Sequence, residues 1–260
     1  MVEQQGHPQY SRPPSDHDRK CPNGQENDFG SYRDFLLSFV NQDYKFIPFS
    51  KLSKPKGQLV LRHDIDFDTH YALDIAKVES DLGIKATYFF LLSSNFYNVL
   101  SQEDSENILK IKALGHTISL HFDSTVYKDY KYGLMYEVDL FEQIFDVKVK
   151  IISFHRPNEY FRKLNKPIKK IEHTYQSKFS GDIKYFSDST GVWRFGHPLE
   201  STEFKEKISI QLLTHPIWWM VNGASNLEKL KTYYLKRTES LKDDFAKNCI
   251  PFEKICENLG

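Results

Sequence analysis

Leu59-Val60-Leu61-Arg62-His63-Asp64-Ile65-Asp66 begins as an apolar run of strand length and ends in two acids spaced by one residue. Directly after it, Thr69–Leu82 places Ala72, Ile75 and Ala76 at helical spacing and stops at Gly83. A strand that feeds a helix is the unit of a parallel sheet. The same alternation recurs on both sides. Strands are predicted at 44–48, 58–65, 85–92, 117–121, 149–154, 183–186 and 208–214. A helix is predicted over Tyr32–Gln42, with Phe35, Leu36 and Phe39 on one face. Ser101 and Asp104 read as a capping box for a helix that ends at Gly115. A last long helix starts at Ser225, with Glu228 three residues on and Leu227, Leu230, Tyr234, Leu241 and Phe245 at helical spacing. The pattern predicts one α/β domain over residues 29–260, its largely parallel sheet either open or closed into a barrel. Residues 1–28 are polar and rich in proline, with almost no aliphatic side chains, and are expected to form a flexible tail.

Composition narrows the function. The 260 residues carry 35 Lys plus Arg and 35 Asp plus Glu, so the formal net charge is zero and no nucleic-acid partner is expected. Cys21, Cys249 and Cys256 make no zinc-ribbon spacing, and the odd count favours a reducing compartment. No apolar run is long enough for a membrane span, and the N-terminus shows no secretory signal. The chain therefore reads as cytoplasmic.

In parallel α/β folds the reacting groups gather where strands end. Five apolar runs here end in acids or histidines: at Asp64-Ile65-Asp66, His121-Phe122-Asp123, His155-Arg156-Pro157, Ser187-Asp188 and Thr214-His215. Side chains alternate along a strand, so Asp64 and Asp66 point the same way. Two adjacent carboxylates repel each other unless a cation sits between them. His121 and Asp123 share a face if their strand runs on, and a histidine with carboxylates suits zinc or another divalent ion. Taken alone, His121 reads as a core histidine; His116 reads as structural, closing the turn after Gly115. Arg156 stays charged and can fork onto a carboxylate. His215, beside Trp218 and Trp219, is a general-acid candidate, because imidazole titrates near working pH. Trp193, Trp218 and His155 follow strand endings and are candidate substrate-binding residues, the tryptophans offering flat faces to sugar rings.

In this order the segments resemble the motifs of carbohydrate esterase family 4, the polysaccharide deacetylases, in an atypical bacterial form associated with surface-polysaccharide synthesis. Arg62-His63-Asp64-Ile65-Asp66 resembles the first motif, Gly115–His121 the second, His155-Arg156-Pro157 the third, Asp188 with Trp193 a loose fourth, and Leu213-Thr214-His215 the fifth. The tract Ala86–Phe90 is similar to the family's second core strand. The resemblance implies a distorted (β/α) barrel of about seven strands and one divalent metal ion, zinc by preference. It implies a carbohydrate substrate and hydrolysis of an N-acetyl group. Asp64 would be the general base, Asp66 and His121 metal ligands, Arg156 the residue that orients Asp64, and His215 the general acid, held by Asp188. The family's second metal-binding histidine falls at Thr125 here. Asp123 is expected to supply that ligand, with His155 as the alternative. An amidase acting on a non-sugar amide and a non-catalytic carbohydrate-binding relative are the rival functions.

Overall fold

The run that carries the paired acids is strand β2 (Gln58–Ile65), which lies inside the sheet with both faces covered. The computed structural model describes residues 29–53, 56–249 and 251–252. The expected tail at 1–28, with Cys21, and also Cys256 lie outside the described residues. The other strands are β1 (Lys45–Phe46), β3 (Thr87–Phe90), β4 (Thr117–Phe122), β5 (Ile151–Phe154), β6 (Glu172–His173), β7 (Lys184–Ser187) and β8 (Ile210–Thr214). The sheet order is β6-β5-β4-β3-β2-β8-β7, and β1 pairs with the start of β2. All of these pairings are parallel. The helices are α1 (Tyr32–Asn41), α2 (Thr69–Asp81), α3 (Gln102–Ala113), α4 (Tyr130–Phe145), α5 (Glu159–Lys163), α6 (Ser177–Ser180), α7 (Thr202–Lys205), α8 (Pro216–Met220) and α9 (Asn226–Asn248). The architecture is a single α/β domain, a distorted (β/α) barrel. Among the described residues no ladder joins β6 to β7, so the barrel is open there.

Strand parity sorts the core into two layers. Val60 packs inward with Phe49, Phe89, Ile151 and Phe179. Leu59, Leu61 and Ile65 face outward into the large cluster formed with α1 and α2. Arg62 and Asp64 therefore share the inner side with Val60, and His63 points out toward the helices. Among the described strands, β6 has no apolar run to announce it. It is held by Glu172 N donating to Lys150 O at 3.0 Å and Thr174 N donating to Ile152 O at 3.1 Å. Helix α3 is capped as expected, with Ser101 Oγ accepting from Asp104 N at 3.2 Å. Helix α9 departs from expectation. Leu227, Tyr234, Leu241 and Phe245 are exposed, and the buried face carries Asn226, Lys229 and Tyr233. Tyr233 takes the inward place because its hydroxyl donates to Phe67 O at 2.9 Å while its ring packs on Phe67.

One carboxylate organises the outer layer. Glu79 of α2 is fully buried and accepts from Tyr32 Oη at 2.5 Å, Tyr88 Oη at 2.6 Å and His63 Nε2 at 2.7 Å. His116 Nδ1 lies 3.5 Å away, and its Nε2 donates to Ala76 O, so the structural part expected for His116 is played here. Burial pushes Glu79 up, but the His63 charge and the hydrogen bonds hold its carboxyl below the ordinary value of 4.5. Burial pushes His116 below 6.5. In both cases the unfolded chain binds protons more readily than the folded one, so stability falls as pH falls. The His116 share declines downward from 6.5. The Glu79 share is complete above 4.5 and is lost as pH drops through the folded value. Glu79→Gln is expected to cost about 3 kcal/mol at neutral pH and to flatten the acid limb below pH 4.5. Denaturant melts of both proteins across pH check this.

Candidate functional site

The inward parity of β2 sets the first group. Asp64 is buried, and its Oδ2 accepts from Ser153 Oγ of β5 at 2.9 Å. Arg62 Nη2 lies 3.4 Å from the same oxygen. Asp64 Oδ1 is buried without a hydrogen-bond partner. Asp66 lies just past the end of β2. Its Oδ1 is 3.3 Å from His121 Nε2 of β4 and 3.3 Å from His155 Nδ1, which follows β5. The two imidazole nitrogens are themselves 3.3 Å apart. Parallel pairing explains the convergence: His121 is in register with Ser153, so the end of β5 brings His155 beside it.

His121 Nδ1 donates to the Ser153 carbonyl at 3.3 Å, because a carbonyl can only accept. That leaves the Nε2 lone pair aimed at Asp66. Asp66 Oδ1 is buried with no hydrogen bond of good geometry. Asp66, His121 and His155 thus offer three ligand atoms that all lie within 4.8 Å of one another. Burial raises Asp66, yet the imidazoles of His121 and His155 hold its carboxyl well below the usual range. Burial lowers His121, yet Asp64 and Asp66 hold it above its ordinary value. Both shifts have one meaning: the carboxylates draw positive charge to this point, whether a proton or a metal cation.

On the opposite rim, Asp188 at the end of β7 is fully buried. Its carboxylate accepts from the backbone N of His215 at 3.0 Å, from His215 Nδ1 at 2.6 Å and from the indole Nε1 of Trp219 at 2.9 Å. His215 Nε2 is then left facing Asp66 Oδ2 at 3.9 Å. Burial lowers His215, but the Asp188 charge and hydrogen bond win and lift it to about 9. Asp64, Asp66, His215 and Pro216 line one small pocket with Phe67, Asp68 and Tyr71.

Not every expected residue joins this site. Asp123 is not among the three grouped donors: β4 ends at Phe122, and Asp123 Oδ1 accepts from Thr125 N at 2.9 Å and Thr125 Oγ1 at 2.7 Å. His155, the alternative, is the third donor grouped with Asp66 and His121. Arg156 is exposed, because the chain turns there with φ of 47°. The arginine beside Asp64 is Arg62, which obeys the parity argument already applied to the two acids. Trp218 is buried over Gly191, where an added Cβ would come within 3.0 Å of its ring. Trp193 packs among Phe29, Phe35, His197 and Trp219. Neither tryptophan lines the pocket. Trp219 is the ring that reaches Asp188.

No family model matches the chain, and no curated protein does. Among solved structures, the chain is similar to a family 4 carbohydrate esterase from Bacillus anthracis, at 16% identity and a TM-score of 0.42, over 82% of this chain and 91% of that one. It is similar to the chitin deacetylase of the fungal pathogen Colletotrichum lindemuthianum, at 16% identity and a TM-score of 0.39, over 73% and 88%. It is also similar to a family 4 pseudoenzyme from Bacillus anthracis, at 15% identity and a TM-score of 0.37, over 75% and 68%.

The Asp188–His215 geometry has a direct consequence. In Asp188→Asn the buried negative charge is gone while a side-chain oxygen can still accept from Nδ1. The His215 titration is expected to fall from about 9 toward the ordinary 6.5. An NMR titration of metal-stripped protein checks it, and an unmoved His215 would remove Asp188 as the cause.

Proposed function

We propose that the chain is a metal-dependent hydrolase of C–N amide bonds that deacetylates an N-acetylated sugar in surface-polysaccharide metabolism. The observation that carries this reading is the convergence of Asp66, His121 and His155 at three strand ends, next to a buried aspartate and an aspartate-backed histidine. The ordered motif resemblance supplies the sugar. The donor set fits a divalent ion: two imidazoles and a carboxylate suit zinc, and Asp66 Oδ1 is otherwise an orphaned buried acceptor. Asp66, His121 and His155 would hold the ion. When bound, a divalent ion polarises the amide carbonyl and makes a neighbouring water more acidic.

The chain's own groups supply the rest. Asp64 Oδ1 is the free oxygen, so Asp64 takes the proton from the attacking water. Its other oxygen is fixed by Ser153, so the carboxylate is oriented before substrate arrives. His215 stays protonated because Asp188 anchors Nδ1, and Nε2 gives its proton to the departing amine. The products are a free amino sugar and acetate. The pocket walls, Pro216 and Ile217 among them, limit access of bulk water. No described helix is long and apolar enough to cross a membrane.

Elemental analysis of the purified protein, with acetate release from free and nucleotide-linked N-acetyl sugars, tests the reading. Asp64→Asn is expected to keep the metal and lose activity by about 10²–10⁴-fold. His155→Ala is expected to lose most of the metal, and Asp123→Ala to keep it. Near-normal turnover in Asp64→Asn, or full metal occupancy in His155→Ala, would overturn the assigned roles.

A further inference from the structure

We propose that Arg62 and Ser153 together are the positioning device for Asp64, so that the orienting arginine of this chain lies on β2, two residues before the base. The inference rests on the hydrolase reading above and adds to it the residues that set the base.

Arg62 is fully buried inside the barrel. Its guanidinium grips one oxygen of Asp64 twice. Nη2 lies 3.4 Å from Asp64 Oδ2. Nη1 donates to Ser153 Oγ at 3.1 Å, and that hydroxyl donates to Asp64 Oδ2 at 2.9 Å. Both arms end on Oδ2, which leaves Oδ1 buried and without a hydrogen-bond partner. The arginine is itself held by three rings. Its Cζ lies 5.6 Å from the Tyr175 ring centroid, 5.8 Å from that of Tyr185 and 6.0 Å from that of Phe89. A planar cation walled by aromatic faces has little freedom to swing away.

Ser153 ties this device to the metal ligands. Its hydroxyl serves Asp64, while its carbonyl accepts from His121 Nδ1. One residue of β5 thereby fixes the distance between the base and the histidine beside it. A rotation of the Asp64 carboxylate would break both arms at once. Parity makes the arrangement cheap, since Arg62 and Asp64 must emerge on the same side of β2. Arg156 is exposed and takes no part.

Four variants, Arg62→Met, Arg62→Lys, Ser153→Ala and Arg156→Ala, test this in metal-loaded protein, read by kcat, KM, metal stoichiometry and crystal structures. Arg62→Met is expected to lower kcat by on the order of 10²-fold with KM and metal content little changed. Arg62→Lys should recover part of that loss, because it keeps the charge but not the fork. Ser153→Ala should lower kcat about tenfold. Arg156→Ala should match the wild type. The Arg62→Met and Ser153→Ala structures should show the Asp64 carboxylate rotated from its place. If Arg62→Met does not fold, Ser153→Ala and Arg62→Lys carry the same test. An unmoved Asp64 with kcat within about twofold of wild type would overturn the proposal, as would loss of metal without rotation of Asp64. A wild type with neither metal nor acetate release would instead defeat the hydrolase reading, and the Asp64 position would still report on the grip of Arg62 and Ser153.

Discussion

The buried carboxylate of Glu79 is the constraint on which the geometry of this protein depends. It gathers hydroxyls and an imidazole from α1, β2 and β3 at one point in the outer layer, and His63 passes the connection to Thr214 of β8 at 2.8 Å. A buried acid without such donors would cost several kcal/mol, so the elements that supply them are locked together. The residues next along those strands are Asp64 and His215. Outward-facing His63 and Thr214 therefore hold the strands whose following residues reach inward to the site. The stability of the outer layer and the precision of the inner one share the same backbone.

Inside, the electrostatics divide the acids by what surrounds them. Asp66 meets two imidazoles, Asp64 meets a guanidinium and a hydroxyl, and Asp188 meets a histidine, its backbone amide and an indole. Asp64 and Asp188 are buried and Asp66 is partly exposed, and each stands beside a cationic or polar neighbour. Only Asp64 keeps an oxygen that faces no partner while the other is gripped. The difference in role follows from the difference in surroundings, since the side chain is the same in all three.

Much of this was legible in the sequence because strand endings and side-chain parity are local. The D-x-D pair, His121 and His215 fall where the apolar runs stop. Where the reading diverged, the cause was a turn that local periodicity does not carry. Parity extended past Phe122 would have put Asp123 with His121, but the strand ends there and Thr125 folds back onto the acid. Arg156 follows His155 directly, yet a left-handed backbone at that position sends the two side chains apart. The alternation that pairs the acids also places Arg62 beside Asp64, but a buried arginine in a strand interior is rare and no local pattern marks it. Strand β6 has only two residues and no apolar run, so partners far along the chain define it. On α9, Tyr233 rather than Tyr234 turns inward because of a hydrogen bond to a distant carbonyl, which spacing alone cannot reveal.

The gap between β6 and β7 gives the molecule a tolerant side. There the wall of the barrel is joined by a side chain in place of a ladder: Gln211 Nε2 of β8 donates across to Thr174 O at 3.3 Å and Phe179 O at 2.5 Å. Chain inserted between β6 and β7 would separate no paired strands, whereas the same length placed between β2 and β3 would join two strands that pair directly. Changes in loop length are therefore expected to cost least at the seam, where no ladder has to be kept. The seam is thus the place where the barrel wall can change length without breaking a strand pairing.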